Sequence, residues 1–260
     1  MGTETRFQGR VAIVTGAGQG IGKEYAARLL REGAQVAIAE LSEERGRAGL
    51  RDLEPLGDVI LVPTDVSDEP STLQCAQTVQ EQFGRIDVLV NNAALFQDLD
   101  KEDHSYDYLQ RAFRVNLHGA WLMTRAVAPM MVTQQWGRIV NISSVGAYMH
   151  PTFDAPFDGV DSWVYNQTKW GILGLTKYLA GQLGQYNITV NCIAPGVTLS
   201  DGALNTLTPE RIEELRMMSA MRRTVTPADL AGAVAFFASD DASMVTGQVL
   251  CVDGGTCMPA

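Results

Sequence analysis

"RVAIVTGAGQGIG", residues 10–22, is the stretch on which the reading of the fold turns. Val11 to Thr15 form an apolar run without polar alternation, as a strand covered on both faces requires. Glycines follow at 16, 18, 20 and 22, and "GKEYAARLLREG" at residues 22–33 then opens a helical pattern. The alternation recurs along the chain: "QVAIAE" (35–40) before "SEERGRAGLRDLE" (42–54), "DVILVP" (58–63) before "STLQCAQTVQEQFG" (71–84), then "IDVLVN" (86–91) before a long helix expected from about Tyr106 to Met131. "GRIVNIS" (137–143) precedes a helix beginning near Tyr165, "ITVNCIAPG" (188–196) precedes one after Thr226, and "QVLCVDGG" (248–255) closes the series.

Strands separated by helices are βαβ units with right-handed crossovers and a parallel sheet. The expected fold class is α/β, a Rossmann-like doubly wound parallel sheet with helices on both faces, its ligands beyond the carboxyl ends of the strands. With 260 residues, 46% hydrophobic, and no Pro/Ser-rich linker or repeat, the chain reads as one catalytic domain over residues 7–260 after a flexible polar tail at 1–6. A formal charge of -10 without clustered Lys and Arg argues against nucleic acid as a partner. The first residues lack a signal-peptide pattern and no apolar run is long enough to span a bilayer, so a cytoplasmic protein is expected. Cys75, Cys192, Cys251 and Cys257 lack metal-ligand spacing and read as buried reduced thiols, with no metal expected.

The glycine cluster follows a strand and opens a helix, where backbone N–H groups can approach a pyrophosphate. Gly16, Gln19, Gly20, Ile21 and Gly22 are the candidate contacts. Glu40 ends the second strand, where a carboxylate can accept both adenosine ribose hydroxyls and repel a 2′-phosphate. With no basic residue in the glycine loop itself, NAD is the expected cofactor.

The ordered set T-G-x-x-x-G-x-G, Asp65-Val66, "NNAA" at 91–94, Asn116, Ser143-Ser144, "YNQTK" from Tyr165 to Lys169, and Pro195-Gly196 resembles the short-chain dehydrogenase/reductase family over about residues 9–256. The resemblance implies that Asp65 bonds the adenine amino group with Val66 beside the ring. Asn92 and Ala93 would pass the adenosine ribose, and Pro195, Gly196 and Val197 would line the nicotinamide. Tyr165 would be the general acid/base, Lys169 would lower its pKa and hold the nicotinamide ribose, and Ser144 would hold the substrate oxygen. Asn116 would position a water linking Lys169 to solvent; the bland alternative is a satisfied core amide.

Tyr165 and Lys169, four apart, share one helix face. A free tyrosine, pKa about 10, is a poor base at neutral pH, and an adjacent ammonium lowers it. The serine pair is ambiguous: strand register selects Ser144, whereas aligning on the following glycine would select Ser143. Ala94 replaces the glycine usual in this family, and has to avoid positive φ or accept strain.

Residues 145–164 are a longer excursion than this family usually carries. Tyr148, Met149, Phe153, Phe157 and Trp163 lie in it, with no arginine or lysine, so it offers no clamp for an anionic substrate. Residues 199–223, with Leu204, Leu207, Met217, Met218 and Met221 and a helix start at Thr208-Pro209, would close over the substrate as a lid. The expected substrate is a small, mostly apolar secondary alcohol and its ketone, alicyclic, terpenoid or aromatic. A 3-oxoacyl ketoreductase acting on acyl carrier protein or coenzyme A thioesters is the enzymic alternative, and an NAD-sensing binding module the non-enzymic one. By the resemblance the chain forms homo-oligomers, a homotetramer before a dimer.

Overall fold

The computed structural model describes residues 5–95, 105–149, 163–200 and 208–259. The apolar runs become β1 (Val11–Thr15), β2 (Gln35–Glu40), β3 (Val59–Pro63), β4 (Val88–Asn91), β5 (Gly137–Ile142), β6 (Ile188–Pro195) and β7 (Val249–Val252). They pair in parallel as one seven-stranded sheet in the order β3-β2-β1-β4-β5-β6-β7. Because the order reverses between β1 and β4, a crevice opens beyond their carboxyl ends.

The helices are α1 (Gly20–Arg31), α2 (Glu43–Leu53), α3 (Glu69–Phe83), α4 (Tyr106–Phe113), α5 (Gly119–Gln134), α6 (Val164–Leu183), α7 (Pro209–Met218) and α8 (Pro227–Ala238). Strand alternation divides the core between two layers. Ala12 and Val14 of β1 face Tyr25, Leu29, Leu53, Leu230 and Phe237 of α1, α2 and α8. Val11 and Ile13 face the opposite layer, with Val79, Met123, Val127 and Leu179 of α3, α5 and α6. No helix among the described residues is long and apolar enough to cross a membrane.

Two differences from the sequence reading bear on the site. The single helix expected over Tyr106 to Met131 is broken by a π-helical turn at Arg114–His118 and continues to Gln134. Periodicity alone does not separate a π turn from the α-helix around it. Cys75 and Cys192 are buried, but Cys251, on the edge strand β7, and Cys257, beyond it, are only half-buried. At the amino end Arg6, placed in the tail by composition, donates to Glu32 Oε1 at 3.1 Å.

Buried amides tie the sheet to α5 and α6. Asn91 and Asn141 stand opposite each other on β4 and β5. Asn91 Nδ2 donates to Asn141 Oδ1 at 2.9 Å and to Thr124 Oγ1 at 3.3 Å, while Asn141 Nδ2 donates to Thr176 Oγ1 at 3.0 Å. These bonds set the height of both helices against the strand ends where the site lies.

The turn after β1 depends on glycine in two different ways. Gly20 has φ of 58°, and a methyl group there would meet no described atom within 4 Å. Gly22 is buried, and a methyl group there would stand 2.4 Å from Gly16 O and 2.5 Å from Asn92 Nδ2. Gly22→Ala is therefore expected to destabilise the protein by about 1–3 kcal/mol through overpacking. Gly20→Ala is expected to cost about 1–2 kcal/mol through its left-handed backbone alone. Urea unfolding midpoints of the two variants check this.

Candidate active site

The first turn of α1 holds no acidic side chain, and Gln19 before it makes no side-chain cap. The first N–H groups of the helix thus have no side-chain cap, and a Cβ at Gly20 would meet no described atom within 4 Å. An uncapped helix start with clear space in front of it fits a pyrophosphate. Behind this loop Thr15 Oγ1 accepts from the N–H groups of Asn92 (2.9 Å) and Ala93 (3.0 Å). Asn92 Nδ2 returns bonds to Thr15 O at 2.9 Å and Gly16 O at 3.1 Å. Asn92 therefore fastens β4 to the glycine loop. Ala94 is not among the residues with positive φ, so its replacement of glycine introduces no backbone strain.

Glu40 is buried at the end of β2 with its carboxylate already engaged: Oε2 accepts from Gly18 N at 3.2 Å, and Oε1 from Ser42 N at 3.1 Å and Arg45 Nη2 at 3.2 Å. Asp65 Oδ1 accepts from the N–H (2.8 Å) and hydroxyl (2.7 Å) of Ser67. The cap of α3 is Asp68, whose side chain accepts from Ser71 N. Val66 is buried against the start of α5, where a methyl group on Gly119 would stand 2.8 Å from Val66 Cγ2. Pro195 ends β6, Gly196 N donates to Val252 O at 3.1 Å, and Val197 is exposed beyond them.

The two ends of the long excursion meet. Ser144, two residues beyond β5, is extended, its hydroxyl accepting from Gly146 N at 3.1 Å. Tyr165 lies in the first turn of α6, hydrogen-bonded to Ser144. Lys169, one turn on, is buried; its Nζ lies 5.5 Å from the Tyr165 ring centroid and donates to Ile142 O at 2.9 Å. Ser143 does something else: it is buried, and its hydroxyl donates to Lys169 O at 2.8 Å. Of the two serines, only Ser144 is hydrogen-bonded to Tyr165.

Asn116 sits in the π-helical turn, buried. Its Oδ1 accepts from Leu95 N at 2.7 Å, and its Nδ2 donates to Leu95 O and to Thr168 Oγ1, both at 3.2 Å. Thr168 Oγ1 donates in turn to Tyr165 O at 2.7 Å. The amide hydrogens are thus occupied by protein groups and tie the end of β4 to the helix that carries Tyr165. Thr15, Gly18 and Thr168, which lie within the quoted motifs, and Arg45, which does not, join the site without having been named as candidate contacts. Thr168 could have been noticed from its place three residues after Tyr165, but the others depend on long-range approach.

The electrostatics correct one expectation. Lys169 was expected to lower the Tyr165 pKa, yet burial pushes the phenol up to about 12, with the Ser144 hydrogen bond opposing. Burial likewise lowers Lys169 to about 8, with Cys192 opposing. The physical reason is desolvation: burial disfavours the charged form of both groups, and the ammonium's bond goes to the Ile142 carbonyl.

On the substrate side, Tyr148 packs edge-on against Trp170, with ring centroids 5.8 Å apart. Trp163, just before α6, has φ of 35°. Thr198 forms a parallel bridge with Val225, and Leu199 N donates to Val225 O at 2.9 Å. Thr208 caps α7 by accepting from Arg211 N, and Met217, Met218 and Met221 are exposed. Phe153, Phe157, Leu204 and Leu207 lie outside the described residues.

Comparison with known proteins agrees with this arrangement. A family model described as "Enoyl-(Acyl carrier protein) reductase" matches residues 16–257. The chain is 35% identical to 7alpha-hydroxysteroid dehydrogenase of Bacteroides fragilis over 96% of its length and 95% of that protein's. It is 34% identical to a 3-oxoacyl-(acyl-carrier-protein) reductase of Thermotoga maritima, over 96% and 98% of the two chains. A structure of 7alpha-hydroxysteroid dehydrogenase complexed with NADH and 7-oxo glycochenodeoxycholic acid superposes with a TM-score of 0.88 at 31% identity, covering 97% of this chain and 96% of the other. The chain belongs to the short-chain dehydrogenase/reductase family, oxidoreductases that use a nicotinamide cofactor.

Because Lys169 titrates near 8 when folded and near 10.5 when unfolded, the unfolded chain holds the extra proton between those values. Stability should therefore rise with pH from about 8 to 10.5, relative to a Lys169→Met variant, and run parallel to it below pH 8. Urea midpoints of both proteins across that range are the check.

Proposed function

We propose that this chain is an NAD-dependent secondary-alcohol dehydrogenase and ketoreductase of the cytoplasm. Its substrate is a small, largely apolar alcohol, alicyclic, terpenoid or aromatic, and the corresponding ketone. The observation that carries the reading is the hydrogen bond between Ser144 and Tyr165 with buried Lys169 one turn below. Gly16, Gln19, Gly20, Ile21 and Gly22 cradle the pyrophosphate, Glu40 takes the adenosine ribose, and Asp65 and Val66 take the adenine. Asn92 and Ala93 pass the ribose, and Pro195, Gly196 and Val197 face the nicotinamide. A bound NAD would supply the hydride acceptor for the carbinol carbon.

The chain's own residues handle the proton. Ser144 holds the substrate oxygen beside the Tyr165 hydroxyl, and Tyr165 as phenolate takes the alcohol proton, or as phenol returns it to the ketone. With a pKa near 12 the phenol is protonated at neutral pH, ready for ketone reduction. Alcohol oxidation needs the phenolate and should accelerate as pH rises. Lys169 steadies that phenolate while charged, and Asn116 holds Leu95 and Thr168 in place and positions a water that links Lys169 to solvent.

A largely neutral substrate is supported by three of the four lid arginines, the fourth, Arg222, donating to Met217 O. Arg211 pairs with Glu214, Arg216 with Glu213 and Arg223 with Asp229, leaving these charges engaged within the protein. A second reading, reduction of 3-oxoacyl thioesters, is favoured by the likeness to the Thermotoga maritima reductase. We also propose assembly into a homotetramer, supported by exposed Trp121, Trp170 and Tyr178 on α5 and α6 and Leu250 and Met258 near the carboxyl end. A monomeric mass in sedimentation would contradict it.

A screen of secondary alcohols and 3-oxoacyl thioesters, following NADH absorbance with NADP alongside, tests the reading: apolar alcohols and NAD should give the highest kcat/KM. Activity confined to acyl thioesters, or NADP preferred, would sink it. Tyr165→Phe should lower turnover by roughly 10²–10⁴-fold. Ser144→Ala should reduce turnover far more than Ser143→Ala, whose lost buried hydrogen bond should instead cost about 1–3 kcal/mol of stability. Oxidation should speed up from pH 7 to about 8 and level off above it as Lys169 loses its charge, while reduction does not speed up.

A further inference from the structure

The chain that leaves β7 turns back on itself around one carboxylate. Asp253 is buried, and its two oxygens accept from the main chain, Oδ1 from Gly255 N at 2.9 Å and Oδ2 from Cys257 N at 2.6 Å. Thr256 Oγ1 closes the same turn by donating to Asp253 O at 2.9 Å. Gly254 and Gly255, with φ of 66° and 79°, supply the left-handed backbone that the turn needs. Side-chain packing does not fill the space beside it: a cavity of about 530 Å³ opens there, lined among others by Met221, Val225, Cys251 and Asp253. The hydrogen bonds of the carboxylate therefore fix the shape of the turn.

Two neighbouring segments meet that turn. On one side Gly196 N donates to Val252 O at 3.1 Å, and a methyl group on Gly196 would stand 2.8 Å from Asp253 Cβ. The wall assigned to the nicotinamide thus rests directly on Asp253. On the other side Gly254 O accepts two bonds from the chain that follows α7, from the buried Ser219 Oγ at 2.9 Å and from Met221 N at 3.0 Å. A methyl group on Gly254 would stand 2.5 Å from Ser219 Oγ, so these segments meet with no spare room. We propose that Asp253 is a positioning residue whose carboxylate holds one turn against both the nicotinamide wall and the end of the substrate lid. It acts through Gly196 on the cofactor side and through Gly254 O on the lid side. This rests on the dinucleotide reading of the glycine loop and goes beyond it by coupling the nicotinamide wall to the chain after α7.

The test combines calorimetric binding of NADH and 5′-ADP with amide hydrogen exchange of the nucleotide-free protein. Asp253→Ala should weaken NADH by roughly tenfold or more, the worth of one hydrogen bond to a charged group, and 5′-ADP, which lacks the nicotinamide, by less than about twofold. In the same variant the Met221 amide should exchange roughly tenfold faster or more, while β1 and β4 keep their native protection. Asp253→Asn keeps one acceptor oxygen and should fall between the two, and it carries the comparison if Asp253→Ala does not fold. Ser219→Ala releases Gly254 O on the lid side only, so it should speed Met221 exchange and leave NADH affinity within about twofold of native. Weakening of NADH and 5′-ADP to the same degree, or of neither, would overturn the inference and leave the NAD reading standing. Unchanged Met221 exchange in Asp253→Ala would overturn it too. Failure of the native protein to bind NADH would remove the dinucleotide reading and this inference together.

Discussion

Lys169 is held from both ends by the last residues of β5. Its Nζ donates to Ile142 O, and its own carbonyl accepts the Ser143 hydroxyl. Two bonds in opposite directions between one strand end and one helix turn fix both the height and the roll of α6. Tyr165, one turn earlier, is thereby placed against Ser144. The arrangement carries a cost, since a buried ammonium loses hydration that one carbonyl replaces only in part. Stability is given up where the proposed acid/base chemistry places these two groups side by side.

The other half of the site is held by an equally reciprocal set. Thr15 accepts from the main chain of Asn92 and Ala93, and Asn92 donates back to Thr15 and Gly16. This locks the glycine loop to the end of β4. From there Leu95, Asn116 and Thr168 continue as a line of hydrogen bonds to the carbonyl of Tyr165. The π-helical turn at Arg114–His118 carries Asn116 in this line, between β4 and α6. The glycine-loop half and the acid/base half are thus coupled through protein groups.

Much of this was legible before the structure. Unalternated runs such as "VAIVT" and glycines at the strand-to-helix turn specify covered parallel strands and a phosphate-sized cradle because sterics and burial act locally there. Tyr165 and Lys169 could be paired from helical spacing alone. Three features could not be read. The π turn differs from an α-helix by one residue's advance, too little for periodicity to register. The environment of Glu40 depends on Arg45, whose approach follows from the packing of α2 on the glycine loop. The direction of the Tyr165 pKa depends on how much water its surroundings exclude, and sequence spacing does not measure burial.

The amino-acid sequence by itself determined the α/β class, the order of strands and helices, and the residue types that stand near the reacting centre. Each of these follows from short-range preferences: apolar runs, glycine's backbone freedom and four-residue helical spacing. Tertiary structure alone decided which serine meets Tyr165, what Asn116 holds, and how burial shifts Lys169 and Tyr165 in opposite directions. Those outcomes come from contacts between segments far apart in the chain, where desolvation and hydrogen-bond geometry are set by the whole packed sheet.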